Sequence, residues 1–294
     1  MPEFKTGVVR ANGLRFHYLE EGEGPLALCL HGFPDSPWSY RYLLPALAKA
    51  GYRAVAPFMR GYAPTEVPPD GRYHTSSLAA DVVALHGALG GDAHAVLIAH
   101  DWGSVAAYGG AALEPTRWRR CVIMNVPPLA VFGHLAFRYE QIKRSFYFWF
   151  FQMQVSDAVV PANDLAFIDG LWADWSPGYD ATYDVARVKE CLRDPANLRA
   201  AMGYYRAFFD PVRFGLPEWT EEQGAAWGRP TPQPTLYLHG MNDGCIALDA
   251  NAAAELRAFL SPDSQVERIA GVGHFLLVER SQEVNDRILR FLRS

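Results

Sequence analysis

Short apolar runs alternate with amphipathic segments along most of this chain. Apolar runs typical of buried strands occupy residues 26–30, 52–56, 93–98, 121–124, 235–238 and 266–269. Spacing typical of helices occupies residues 38–50, 75–89, 248–260 and 282–292. Strands that alternate with helices indicate an α/β fold, with a mostly parallel sheet covered by helices on both faces.

Three local signals refine this pattern. Two strand-like runs, at 7–10 and 14–19, flank Asn12-Gly13 and predict a β-hairpin. The run Thr75-Ser76-Ser77 offers hydroxyls that would cap the helix over 75–89. The proline-rich residues 229–234 predict a stiff return into the strand at 235–238, because proline cannot serve a central ladder.

The middle of the chain lacks this alternation. From about Leu129 to about Glu218 the segment is helical in character and rich in aromatic residues. We therefore predict a helical cap (lid) domain over 129–218, inserted between two sheet strands and lying over the strand ends. Residues 1–128 and 219–294 then form the α/β core domain.

Composition narrows the class of protein. Of 294 residues, half are apolar and a fifth are charged, which is ordinary for a globular protein. The net charge of −5, without a basic block, argues against nucleic acid as a partner. No apolar stretch is long enough to cross a membrane, and no signal segment is visible at the start, so we expect a cytoplasmic protein without a membrane partner. The pattern leaves open whether it is a monomer or a homodimer.

The cysteines do not form a metal-binding or disulfide pattern. Cys29, Cys121, Cys191 and Cys245 are widely spaced and include no CxxC pair. We expect all four cysteines to be buried, reduced thiols. We expect neither a metal nor an organic cofactor.

A carboxylate occupies the sharpest turn that the pattern predicts. The apolar run before it ends at Ala99, and a helix of small residues begins at Ser104. Asp101 therefore has the spacing of a nucleophile elbow, with Ala99 and Gly103 as small neighbours and an acid where serine is usual. Taken alone, an Asp after a strand is more often a helix cap.

Polar residues follow the ends of other predicted strands, where ligands bind in open α/β sheets. The turn that begins at Gly240 carries Asp243, and the last strand leads to His274. The order Asp101, Asp243, His274 is the nucleophile–acid–histidine order of α/β-hydrolases. We predict that Asp101 attacks an electrophile, that Asp243 orients His274, and that His274 acts as the general base.

The turn His31-Gly32-Phe33-Pro34 follows another strand and completes this set. Its Phe33 N–H, together with the N–H of Trp102, is predicted to form an oxyanion hole. His100 lies beside the nucleophile, but its side chain should point the other way, so we interpret it as structural.

Taken together, these motifs resemble the epoxide hydrolase branch of the α/β-hydrolase family, from about Val8 to Phe291. The resemblance rests on His31–Pro34, His100–Gly103, Gly240–Asp243 and Gly273–Phe275. It implies two cap tyrosines that donate protons to the epoxide oxygen. Tyr147, in the aromatic run 146–151, and Tyr205, directly before an Arg, match these contexts, and Tyr204 competes for the second role.

The expected reaction is hydrolysis of an apolar epoxide to a vicinal diol by water, through an alkyl ester on the Asp nucleophile. We expect substrate contacts from the loop His31–Pro34, from the elbow, from the cap and from the loop that carries His274. The predicted contacts are His31, Phe33, Pro34, Trp102, Trp149 and Phe275.

Two other functions stay open. The elbow and triad also resemble those of haloalkane dehalogenases. In such an enzyme Trp102 would supply one halide donor, but Phe33 stands where a side-chain donor often lies. The resemblance to fluoroacetate dehalogenases is weaker, because their elbow has Arg after Asp and this chain has Trp102 at that position. A non-catalytic binding protein of this fold is the alternative from another class, although no member of the triad is missing.

Overall fold

A computed structural model describes residues 3–293, except for the side chain of Ala225. Its strands form one sheet in the order β1-β2-β4-β3-β5-β6-β7-β8. The strand bounds are β1 Lys5–Ala11, β2 Leu14–Glu21, β3 Leu26–Leu30, β4 Arg53–Pro57, β5 Val96–His100, β6 Arg120–Met124, β7 Thr235–Gly240 and β8 Gln265–Ile269. Only β1 with β2 and β2 with β4 pair antiparallel, which confirms the mostly parallel α/β sheet.

Burial along the strands explains this order. Every residue of β3, β5 and β7 is buried, as expected for central strands covered on both faces. In contrast, β1 is mostly exposed and lies at the sheet edge. Its hairpin turns at Asn12 and Gly13, whose φ angles of 45° and 80° match the left-handed turn that Asn-Gly favours.

The helices before β6 and after β7 cover the two faces of this sheet. They are α1 Leu43–Lys49, α2 Thr75–Ala88, α3 Trp102–Leu113, and later α13 Ala250–Leu256, α14 Leu276–Glu279 and α15 Ser281–Arg293. Short 3₁₀ turns add Pro37–Tyr40, Pro115–Arg117 and Arg257–Phe259.

Three local predictions need correction. Residues 38–50 form a 3₁₀ turn and then α1, because Pro37 and Pro45 each fit only the first turn of a helix. Residues 248–260 form the shorter α13 and a 3₁₀ turn, with Asp249 as the N-cap. No side chain of the predicted Thr75 run caps α2; instead, Gln223 Oε1 accepts the Thr75 N–H at 2.9 Å.

A series of helices lies between β6 and β7. They are α4 Leu129–Ala136, α5 Tyr139–Arg144, α6 Phe146–Phe150, α7 Ser156–Val159, α8 Ala162–Trp175, α9 Thr182–Leu192, α10 Pro195–Phe208, α11 Pro217–Trp219 and α12 Ala225–Trp227, with a π turn at Thr220–Gly224. Helix α8 opens with left-handed residues at 163–165. Helical turns thus continue past residue 218, and the division into core and cap stays a prediction.

Buried polar contacts tie this helical segment to the loops of the sheet. The Arg41 guanidinium pairs with Asp184 of α9, and both side chains are buried. The Trp172 indole N–H of α8 donates to the Pro34 carbonyl at 2.8 Å. Both contacts join the helical segment to the chain that follows β3. Among residues 3–293, no helix is both long and apolar enough to cross a membrane.

Candidate active site

Asp101 lies at a strained turn between β5 and α3. Its φ of 52° and ψ of −123° are unusual for a residue with a side chain. The turn is crowded, because a Cβ placed on Gly103 would come within 2.2 Å of the Leu30 carbonyl oxygen. Close backbone contact therefore requires the glycine predicted at position 103.

The structure brings the three predicted triad residues together. His274 Nδ1 lies 3.0 Å from Asp243 Oδ2, and His274 Nε2 lies 3.6 Å from Asp101 Oδ2. Asp243 Oδ1 accepts the backbone N–H groups of Cys245 at 2.6 Å and Ile246 at 3.0 Å. All three triad side chains are buried. The imidazole is thus held between one anchored carboxylate and one free to react.

Electrostatics within this buried set favour a charged imidazole. Burial alone would lower the pKa of His274, but the adjacent charges of Asp243 and Asp101 outweigh it and raise this pKa to about 10. For Asp243, burial opposes ionisation, but the positive charge of His274 prevails and lowers its pKa. Neutralising Asp101 would remove one support of the His274 charge.

Asn125 is a site residue that the sequence interpretation missed. It directly follows β6 with a φ of 66°. Its Nδ2 donates to Asp243 Oδ2 at 2.7 Å and to the His274 carbonyl at 3.0 Å. The rule used for the other strand ends, a polar residue directly after an apolar run, also selects Asn125.

The loop after β3 places a backbone donor on the nucleophile. The Phe33 N–H donates to Asp101 Oδ1 at 2.6 Å. A Cβ on Gly32 would lie 2.1 Å from that oxygen and 2.5 Å from the Trp102 nitrogen. The loop backbone therefore packs tightly against both the Asp101 carboxylate and the Trp102 backbone nitrogen, and only glycine fits at position 32.

Two of the three candidate tyrosines line the same cavity as Asp101. Tyr147 and Tyr205 have ring centroids 5.3 Å apart and line one cavity with Asp101. The Tyr147 hydroxyl lies 3.3 Å from Cys245 Sγ. The Tyr204 hydroxyl instead donates to the Arg60 carbonyl at 2.8 Å, away from this cavity.

The two cavity phenols are suited to donate protons. The Tyr205 hydroxyl is buried and makes no hydrogen bond within the described residues. Burial raises the pKa of both Tyr147 and Tyr205 well above the usual value, so both phenols stay protonated.

The cavity, here called the inner cavity, has a volume of about 30 Å³, or roughly the space of one water molecule. Besides Asp101, Trp102 and the two tyrosines, its lining is almost entirely apolar or aromatic: Val105, Val126, Phe132, Phe148, Phe208, Phe209, Trp227, Cys245 and Ile246. A buried carboxylate thus faces an apolar space.

Five of the six predicted substrate contacts, all except Trp102, do not line the inner cavity. Trp149 is 38% exposed, since its position on the short helix α6 faces outward. His31 accepts the Met59 N–H at 3.0 Å and supports the loop. Pro34 and Phe275 pack with Trp172, which binds the proline carbonyl and stacks on the phenylalanine ring.

Phe33 and His100 keep positions beside the site. The Phe33 ring packs on Tyr205, with centroids 5.2 Å apart. His100 Nε2 binds the His274 carbonyl at 2.9 Å, so its ring points away from substrate and supports the histidine loop.

One set of side chains in the described part of the chain could hold a metal ion. Asp101, Cys245 and His274 offer ligand atoms that all lie within 4.8 Å of one another. This set coincides with the candidate nucleophile and base, so a bound cation would block both groups.

Comparison with known proteins agrees with this geometry. The family model of the alpha/beta hydrolase fold matches residues 25–281. An epoxide hydrolase of Caballeronia sordidicola is 30% identical, across 97% of this chain and 93% of its own length. Epoxide hydrolase A of Mycobacterium tuberculosis is 31% identical, across 97% and 96%. The chain belongs to the α/β-hydrolase fold family, as an epoxide hydrolase-like protein.

Solved structures of epoxide hydrolases are similar to this epoxide hydrolase-like protein over nearly its whole length. It superposes on an epoxide hydrolase from Vigna radiata with a TM-score of 0.81 and 26% identity, covering 99% of this chain and 98% of that one. A Bacillus megaterium epoxide hydrolase in complex with an inhibitor gives a TM-score of 0.83 at 25% identity, covering 98% and 100%.

Proposed function

We propose that this protein hydrolyses apolar epoxides to vicinal diols through an ester on Asp101. One observation carries the proposal: a buried carboxylate and two tyrosines, Tyr147 and Tyr205, line the same apolar cavity. Opening an epoxide needs a nucleophile on carbon and a proton donor on oxygen at the same time. The names of the relatives favour the same activity.

In the first step, Asp101 Oδ2 attacks a ring carbon, since Oδ1 is held by the Phe33 N–H. A carbon–oxygen bond of the ring breaks as the ester bond forms. The alkoxide that develops takes a proton from Tyr205 or Tyr147, whose raised pKa values leave them protonated beforehand. The tyrosinate that results takes up the proton that His274 releases once Asp101 has lost its charge. The products of this step are a hydroxyalkyl ester on Asp101, a restored phenol and a neutral His274.

In the second step, water attacks the carboxyl carbon of Asp101, and His274 takes the proton of that water. Ester formation has by then removed the negative charge 3.6 Å from His274 Nε2, which lowers the proton affinity of the ring. The oxyanion on Oδ1 is held by the N–H groups of Phe33 and Trp102. Its collapse breaks the ester bond, and the proton on His274 passes to the leaving diol oxygen. The acid proton left on the Asp101 carboxyl then moves to His274, which restores the carboxylate and the charged imidazole.

This scheme explains why an acid replaces serine at the elbow. Serine attack on an epoxide would leave an ether, which activated water does not readily cleave. Carboxylate attack leaves an ester, which a histidine with an oxyanion hole hydrolyses well.

Dehalogenation is the second candidate function, because the Trp102 side chain lines the inner cavity, where it could bind a halide. A parallel assay separates it from epoxide hydrolysis. Purified protein is incubated with styrene oxide and, separately, with 1-bromohexane, and diol and halide are measured. We expect diol to accumulate and halide release to stay at background, with both absent in Asp101→Asn. Halide release without diol would assign the protein to the dehalogenases.

A second experiment tests the ester directly. His274→Gln removes the base but leaves Asp101 able to react, so the ester should accumulate. After incubation with styrene oxide, mass spectrometry should find the peptide with Asp101 heavier by one substrate. An unmodified peptide together with normal diol formation would contradict the scheme.

A further inference from the structure

A second apolar depression lies on the surface beside the inner cavity. This outer groove has a volume of about 320 Å³ and runs between α4 and residues 208–219. Phe137 and Phe214 at its rim are 56% and 41% exposed, which is unusual for such large apolar side chains. Trp219 helps to form it and is anchored by its indole N–H, which donates to the Phe208 carbonyl at 2.6 Å.

The outer groove and the inner cavity share one aromatic wall. Phe132, Phe208 and Phe209 line both spaces, and all three are buried. Phe208 and Phe209 have centroids 4.7 Å apart, so their rings form one continuous part of this wall. The same three rings therefore border both spaces, and rotation of these buried phenyl side chains would join the two.

The inner cavity is too small to hold a whole substrate. Its volume of about 30 Å³ is roughly that of one water, whereas sites for small organic ligands span about 300–1,000 Å³. Together with the outer groove, the space reaches the lower end of that range.

We infer that the outer groove binds the apolar tail of the epoxide substrate, and that Phe132, Phe208 and Phe209 form the gate through which the epoxide ring reaches Asp101. This inference rests on the proposed function and specifies its substrate class: epoxides with the ring at one end of an uncharged alkyl or aryl chain.

The chemistry of the outer groove supports an uncharged occupant. His134 is the one polar side chain in its lining, and this ring pairs with Glu255 at 2.6 Å. Trp149, predicted as a substrate contact, packs against Phe137 and Phe209, with centroids at 6.4 and 5.3 Å. It therefore extends the apolar rim of the groove.

The test uses 1,2-epoxybutane, 1,2-epoxyhexane and 1,2-epoxydecane with wild-type protein and the double variant Phe137→Ser/Phe214→Ser. Each methylene that leaves water should raise kcat/KM about two- to threefold in a half-open groove. We expect this gain in the wild type and its loss in the double variant, so that kcat/KM falls most for the decyl epoxide and least for the butyl epoxide. Val212→Ser is the matched control, because Val212 is 80% exposed but does not line the groove.

A binding measurement keeps the test independent of turnover. Titration of 1,2-butanediol and 1,2-decanediol against tryptophan fluorescence gives dissociation constants without chemistry. The double variant should weaken only decanediol binding, at least tenfold. If no epoxide is hydrolysed but this pattern appears, the proposed function fails while the groove assignment stands.

Two results would overturn the inference. One is diol formation whose dependence on chain length is the same in wild type and double variant, with equal decanediol affinity. The other is a concentration-dependent dimer in light scattering that the double variant dissociates while substrate preference stays unchanged, which would assign the groove to a second copy of this chain.

Discussion

Replacing Asp101 with Asn should release the proton that His274 holds. His274 Nε2 lies 3.6 Å from Asp101 Oδ2. At an effective dielectric constant of about 20, opposite charges at this distance attract by about 4–5 kcal/mol, or on the order of a thousandfold in proton affinity. Asn keeps the size of the side chain and removes the charge. The pKa of His274, raised to about 10 in the intact site, should therefore fall strongly in the variant.

The assay is an NMR titration of the His274 ring in wild type and Asp101→Asn, with the signal assigned by its loss in His274→Gln. Asp35→Asn is the matched control, since Asp35 is a buried carboxylate 3.6 Å from His100 Nδ1. The control should leave the His274 titration near its wild-type position. An unchanged titration in Asp101→Asn would refute the reasoning that ester formation converts His274 into a base.

The same pKa gives stability a definite pH dependence. A free histidine titrates near 6.5, and His274 in the folded protein near 10, so the folded state holds the extra proton between these values. Its contribution is complete below pH 6.5 and is lost as the pH rises toward 10. Urea unfolding should show this loss in wild type and less of it in Asp101→Asn.

Three further substitutions test the site. Tyr205→Phe should slow ester formation about 10- to 100-fold, whereas Tyr204→Phe should lower stability by about 1 kcal/mol with activity within about twofold. Asn125→Ala removes a hydrogen bond to charged Asp243 and should lower kcat about tenfold with little change in KM. Gly32→Ala places a Cβ against the nucleophile carboxylate and should lower kcat/KM more than about 100-fold in a folded protein.

Each of these predictions has a result that would contradict it. Equal rates of ester formation in the two tyrosine variants, measured by stopped flow, would remove the distinction between those hydroxyls. A kcat unchanged by Asn125→Ala would show that Asp243 needs no support from that amide. Normal turnover by Gly32→Ala, with circular dichroism as the fold control, would mean that the loop and elbow are farther apart than the geometry requires.

The sheet and the convergence of Asp101, Asp243 and His274 were predictable for a local reason. Apolar runs that end in a polar residue mark the carboxyl ends of strands, and parallel strands bring those ends to one edge. Asn125 obeys the same rule. Pro127 and Pro128 already account for the end of this strand, so Asn125 is not needed to explain it.

Side-chain direction within the helical segment was not predictable in this way. Tyr204 and Tyr205 are adjacent, yet one hydroxyl binds a backbone carbonyl and the other faces the cavity. Trp149 lies two residues from Tyr147 and points outward. The cap of α2 comes from Gln223, 148 residues away in sequence. Such outcomes depend on packing between distant elements, which a local pattern does not encode.

The central claim is that Asp101, and not water, attacks the epoxide. A single turnover in ¹⁸O-labelled water, with enzyme in excess over styrene oxide, tests this claim most directly. The account predicts that the diol carries unlabelled oxygen and that the peptide with Asp101 gains one heavy oxygen. Labelled diol with an unlabelled Asp101 peptide would show direct attack by water and contradict the account.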